Sequence, residues 1–210
     1  MCVGTKWLTK YQDTINAFSS KNHLEILTDN PSGLIGSHIT LYERNVFSYY
    51  EKVNFMFNLS KKYNERITYI DTDWLNAYNT NITYDDITLY SYATYDLSDK
   101  NILTKWFTEK EEYFRKSLLS NISVNSNIDF YIPEALISIP QLNNIDNIQF
   151  DLKTIQPIIE SWYGLKNKNP RFRRYIKNGI GYAEGWGLSA VCKKYKIPID
   201  KVDWKKQTLL

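Results

Sequence analysis

The nine residues Arg66-Ile67-Thr68-Tyr69-Ile70-Asp71-Thr72-Asp73-Trp74 constrain this chain more than any other stretch. Ile67 to Ile70 are β-branched or aromatic and include neither Gly nor Pro. That composition predicts a buried strand in the centre of a sheet. The strand runs directly into two carboxylates one residue apart, with an aromatic after the second. In open α/β folds, ligands bind outside the carboxyl ends of strands. Two acids at such an edge cost desolvation and mutual repulsion unless something cationic sits there. A hard divalent ion with oxygen ligands is the simplest remedy. If that ion also carries a diphosphate, it stabilises charge on a departing nucleotide. The plainer reading is a turn or a helix cap, because Asp-x-Asp is a common tripeptide.

A chain of 210 residues, 43% hydrophobic and 15% aromatic, is long and apolar enough for one large domain or two small ones with a real core. A net charge of +3 from 26 basic and 23 acidic residues argues against a dedicated nucleic-acid binder, which needs a concentrated basic face. No apolar run reaches the length needed to span a bilayer. The N-terminus lacks a charged region followed by an apolar block, so no signal peptide and a cytoplasmic location are expected. Cys2 and Cys192 lie far apart, without metal spacing, and read as small buried apolar residues.

Along the chain, strands and helices alternate. A strand over 2–5, a helix with Leu8, Tyr11, Ile15 and Phe18 on one face, and a strand over 24–28 fill the first thirty residues. That order opens a nucleotide-binding α/β half. Trp7 and Tyr11 offer flat faces for a base, or serve as helix-core aromatics. Asp29-Asn30-Pro31-Ser32-Gly33 is a strong turn signal. A strand over 37–42 and a helix over about 44–63 follow; Val46, Tyr50, Val53 and Phe57 form the helix's apolar face. Arg44 and Lys52 lie off that face, in reach of a diphosphate or simply solvated. A strand is expected over 87–93 and a helix over about 100–119, with Leu103, Phe107, Phe114 and Leu118 inward. Another strand is expected over 135–139, with helices over 152–163 and 188–195.

Three further features carry chemistry. Glu134 stands in an apolar run, where an acid is costly unless partnered, so it is either a functional acid or a salt-bridge member. Lys166, Lys168, Arg171, Arg173 and Arg174 form the concentrated basic stretch, which meets a diphosphate or an acidic acceptor, or is a solvated loop. Gly179, Gly181, Gly185 and Gly187 surround Glu184, Tyr182 and Trp186, which reads as a substrate-facing loop before the last helix. Glu184 near that helix's N-terminus is a functional carboxylate or a cap.

The order of pieces resembles the nucleotide-sugar glycosyltransferases of the GT-A fold. Cys2-Val3-Gly4-Thr5-Lys6-Trp7 with Leu24-Glu25-Ile26-Leu27-Thr28-Asp29 resembles the opening βαβ of that fold. Tyr49-Tyr50-Glu51-Lys52, its helix and the strand to Asp71-Thr72-Asp73 resemble the approach to the family's Asp-x-Asp motif. Gly181-Tyr182-Ala183-Glu184-Gly185-Trp186 resembles a late acceptor-side loop. The resemblance implies an α/β, Rossmann-like fold, with a mixed, mostly parallel sheet of about six or seven strands flanked by helices. It implies one domain over 1–210, alone or cut from a longer protein. Asp71 and Asp73 would hold Mn²⁺ or Mg²⁺ against the diphosphate of a UDP-linked nucleotide-sugar donor. Thr5, Trp7 and Asp29 would line the nucleotide site, and Lys52 matches a basic position near the donor sugar. With Arg171, these make the expected donor site. Glu184, then Glu134, would be the base that activates a glycan or glycoprotein acceptor. Many members carry a late His as a third metal ligand, whereas here both histidines, His23 and His38, come early. The rivals are a nucleotidyltransferase, for which Gly4 is a thin phosphate loop, and a non-catalytic carbohydrate- or protein-binding module, given the many Tyr and Trp.

Overall fold

The computed structural model describes residues 5–35, 38–41, 51–77, 83–98, 108–133, 136–168 and 183–202. These residues make a mixed α/β structure of five helices and three small sheets. The largest sheet is built on β7 (Leu136–Ile139), all four residues of which are buried. β7 pairs antiparallel with β3 (Ile67–Ile70), placing Leu136 opposite Ile70. Its other edge pairs antiparallel with β4 (Leu89–Ser91), which pairs parallel with β8 (Ile199–Lys201). The order is therefore β3-β7-β4-β8. Two further pairs complete the described strands: parallel β1 (Glu25–Thr28) with β2 (His38–Leu41), and antiparallel β5 (Tyr95–Asp96) with β6 (Phe130–Tyr131).

Two sequence expectations are corrected here. The described strands do not form one mostly parallel sheet of six or seven; the largest sheet has four strands, and β7 runs against the other three. Nor is 67–70 the central strand: it stands at one end of the described sheet, and three of its four residues keep partial exposure. A β-branched run reports burial on two faces. It carries no information about neighbours on two edges.

Most helices follow their apolar spacing. α1 (Thr5–Ser19) buries Leu8, Tyr11 and Ile15 against Ile26 and Leu75. Thr5 opens this helix instead of ending a strand, and residues 2–4 lie outside the described residues. The turn after β1 is fastened to α1: Gln12 and Asn16 donate to the Gly33 carbonyl at 3.0 and 2.9 Å. Gly33 itself takes φ +79°, a conformation that favours glycine. α2 (Glu51–Tyr63), α3 (Thr108–Asn121), α4 (Ile145–Lys168) and α5 (Ala183–Tyr195) pack around the larger sheet. Val53, Phe57, Phe114, Leu118, Ile155 and Ile159 are among its core.

Polar locks fix how these pieces meet. Arg66 donates to the carbonyls of Ser138, Thr88 and Asp85 and to Ser138 Oγ, tying β3 to β7 and to the entry of β4. Its guanidinium also lies 5.1 and 5.4 Å from the ring centroids of Tyr84 and Tyr90. Burial lowers its pKa, yet guanidinium stays charged. Asp151 accepts from Tyr195 OH at 2.7 Å and pairs with Lys194 at 2.6 Å, clamping α4 to α5.

The glycine-rich stretch also differs from its sequence reading. Residues 183–187 are not a loop but the opening turns of α5. Trp186 is fully buried, with its ring 5.0 Å from Tyr131 and 5.8 Å from Phe114. At Gly185 an added Cβ would meet the Ile132 carbonyl oxygen at 2.5 Å and the Tyr131 ring at 2.6 Å. This glycine lets helix and strand approach, so its role is packing. Gly185→Ala is expected to lower stability by about 1–3 kcal/mol in urea unfolding, the cost of overpacking a filled core. An unchanged midpoint would contradict the close approach.

Candidate active site at the carboxyl edge of the larger sheet

β3, β4 and β8 run in the same direction, so Asp71, Tyr92 and Val202 follow their carboxyl ends on one edge. β7 enters from that edge at Leu136, whose carbonyl accepts from Tyr92 N–H at 3.3 Å. Beyond Ile70 the chain turns into a 3-10 helix, Thr72–Ala77, closed by Trp74 N–H donating to the Asp71 carbonyl at 2.8 Å. Trp74 and Tyr92 then lie with ring centroids 4.6 Å apart, tilted by 38°, both half-buried over Ile70 and Leu136.

The edge carries an ion pair. Lys52 Nζ, from α2, lies 3.2 Å from Asp71 Oδ1. Tyr69 OH donates to the same oxygen at 2.6 Å, and the ammonium is 5.7 Å from the Tyr69 ring centroid. Strand geometry sets up this pairing, because residues two apart share a face. The side chains of Lys52 and Asp71 are only 10% and 26% exposed. Drawing two such charges from water costs several kcal/mol, which their attraction offsets only with good geometry and added hydrogen bonds. Tyr69 supplies one such bond.

A cavity of about 300 Å³ lies between β1 and β3, flanked by α1 and α2; its walls include Tyr69, the partner of Asp71, but neither Asp71 nor Lys52. Ile15, Ile26, Met56, Ile70 and Thr72 are among its walls. The last two are the chain neighbours of Asp71. The volume is at the lower end of small-molecule sites.

Of the residues singled out in the sequence, the structure brings Lys52 and Asp71 together. Asp29 follows β1 and is half-buried. Asp73 is the second residue of the 3-10 turn, Thr5 and Trp7 belong to the start of α1, and Glu184 to the first turn of α5. The side chains of these four lie outside what is described, as do residues Glu134 and Arg171 entirely. The strand after Glu134 begins at this same edge, opposite Ile70. Sequence reasoning missed Tyr69 as a partner of Asp71, although the two-residue strand period was the available signal. It also missed Tyr92, whose link to Trp74 depends on β7 lying between β3 and β4.

The described donor set can be tested against Mn²⁺ or Mg²⁺. Such ions take several oxygen ligands. Among the described residues no group of three or more His, Cys, Asp or Glu is placed to hold a metal ion. The one described carboxylate of the Asp71/Asp73 pair already faces an ammonium 3.2 Å away. A divalent ion about 4 Å from an ammonium is repelled by about 8 kcal/mol at an effective dielectric of 20. The described residues alone therefore do not complete a divalent-ion site, and the Asp73 side chain lies outside them. Compared with known protein families, curated proteins and solved structures, the chain finds no match.

If Tyr69 holds Asp71 in place, Tyr69→Phe should cost about 1.5–3 kcal/mol in chemical denaturation, the value of a hydrogen bond to a charged group. Wild-type stability in that variant would show that the bond contributes nothing.

Proposed function

We propose that this chain is a glycosyltransferase of GT-A-like fold. It moves a sugar from a nucleoside-diphosphate sugar, UDP-linked, to a hydroxyl of a glycan or glycoprotein acceptor. The observation that carries this reading is the Lys52–Asp71 pair, largely buried at the carboxyl edge of the parallel strands. Open α/β sheets bind their ligands at such an edge. A cavity lined by Tyr69, Ile70 and Thr72 offers room, and the Trp74–Tyr92 rings, packed with Ile70 and Leu136, offer an apolar surface at the same sheet edge. The fold-level support is the run α1-β1, then α2 leading into β3 and the two acids.

The chemistry follows from what must be neutralised. The acceptor oxygen bonds to the anomeric carbon as the bond from that carbon to the diphosphate oxygen breaks. The electron pair leaves with the diphosphate, whose negative charge grows. Lys52 faces that charge, and a fixed cation stabilises it without reorganising. The acceptor proton passes to a carboxylate base. Glu184 is the first candidate and Glu134 the second.

The ring face of Trp74 and Tyr92 also favours a second reading, a carbohydrate-binding module without chemistry. Incubation with a panel of nucleotide sugars separates the readings. Slow release of nucleoside diphosphate and free sugar is expected, with Lys52→Met slower by about a hundredfold or more, the scale of one lost electrostatic contact. Nucleoside monophosphate and pyrophosphate would instead mark a nucleotidyltransferase. No turnover of any nucleotide would leave the binding module.

A further inference from the structure

We infer that Lys52 supplies the positive charge at this edge, so that the donor diphosphate binds without a divalent ion. The inference rests on the reading of the site as a nucleotide-sugar site and names what holds the phosphates there. Asp-x-Asp after a strand points to a metal, yet the geometry provides a protein cation at the first of the two acids. Lys52 Nζ lies 3.2 Å from Asp71 Oδ1. Its stem is buried, and its head is 5.7 Å from the Tyr69 ring. A lysine on a flexible four-carbon stem is normally a mobile charge. Here burial and the carboxylate hold it in one place, one helical turn before Met56, which with Tyr69 lines the cavity.

Asp71 then acts as a positioning residue. Tyr69 OH donates to the same Oδ1 that faces the ammonium, so this oxygen is already engaged on two sides. A divalent ion on Asp71 would have to displace these partners or use Oδ2, and on either oxygen it would stand near the ammonium, which repels it. A diphosphate has the opposite requirement. An ammonium carries three donors and donates to phosphate oxygens as a point charge.

The test is UDP binding to the whole chain by calorimetry and thermal shift, in EDTA and in Mn²⁺, for wild type, Lys52→Met, Lys52→Arg and Asp71→Asn. The unliganded midpoint of each variant reports whether it folds. Wild type in EDTA should bind UDP within about threefold of its affinity in Mn²⁺. Lys52→Met should bind at least tenfold more weakly in both, and Lys52→Arg, which keeps the charge, should recover most of the loss. Asp71→Asn should weaken binding less than Lys52→Met does, because the cation remains. UDP binding that appears only with Mn²⁺ overturns the inference while the glycosyltransferase reading stands. So does wild-type affinity in Lys52→Met. The EDTA comparison on wild type decides the metal question whether or not that variant folds. No UDP or UDP-sugar binding under either condition overturns both.

Discussion

One four-residue strand with every side chain buried, hydrogen-bonded along both edges, sets the frame of this protein. β7 fixes β3 on one side and β4 on the other, and through β4 it fixes β8. Because it runs against all three, their carboxyl ends gather on a single edge, the one by which β7 enters. Helices α2, α3, α4 and α5 then bury their apolar faces around the sheet. Hydrophobic burial of this kind is non-directional. Direction comes from polar locks, above all Arg66, whose donors reach β7 and the residues leading into β4.

The candidate site is a consequence of that frame. Asp71 lies at the edge because β3 ends one residue earlier, and Tyr69 faces it because strands alternate with period two. Lys52 comes from the start of the described part of α2, which lies beside β3. Trp74 meets Tyr92 because β7 spaces β3 from β4. Tyr69, Asp71 and Trp74 are neighbours in sequence; Lys52 and Tyr92 reach them only through the fold.

What was legible in the sequence was local. Leu8, Tyr11 and Ile15 bury on one face of α1, and Phe114 with Leu118 and Ile155 with Ile159 do the same in α3 and α4, as 3.6-residue spacing requires. The strands at 25–28, 38–41, 67–70 and 136–139 fall inside the β-rich runs. What was illegible was partnership. Burial propensity cannot say which strand is central, so β3 was read as the middle when β7 holds that place. The four glycines around Trp186 looked like a substrate loop. Gly185 instead admits Ile132 and Tyr131 against a helix, a constraint visible only once those elements are packed. The Lys52–Asp71 pair spans 19 residues, and its geometry follows from a helix lying beside a strand. A carboxylate beside a strand end suggests a cation in either form, metal or ammonium, and only the fold supplies the ammonium.

The central claim is that a nucleotide's phosphates bind to Lys52 at the carboxyl edge of β3. A crystal structure of the chain with UDP tests it most directly. The account predicts phosphate oxygens within about 3 Å of Lys52 Nζ, the length of a charge-assisted hydrogen bond, with the nucleoside in the cavity between β1 and β3. UDP bound elsewhere, with the Lys52–Asp71 pair untouched, would contradict it.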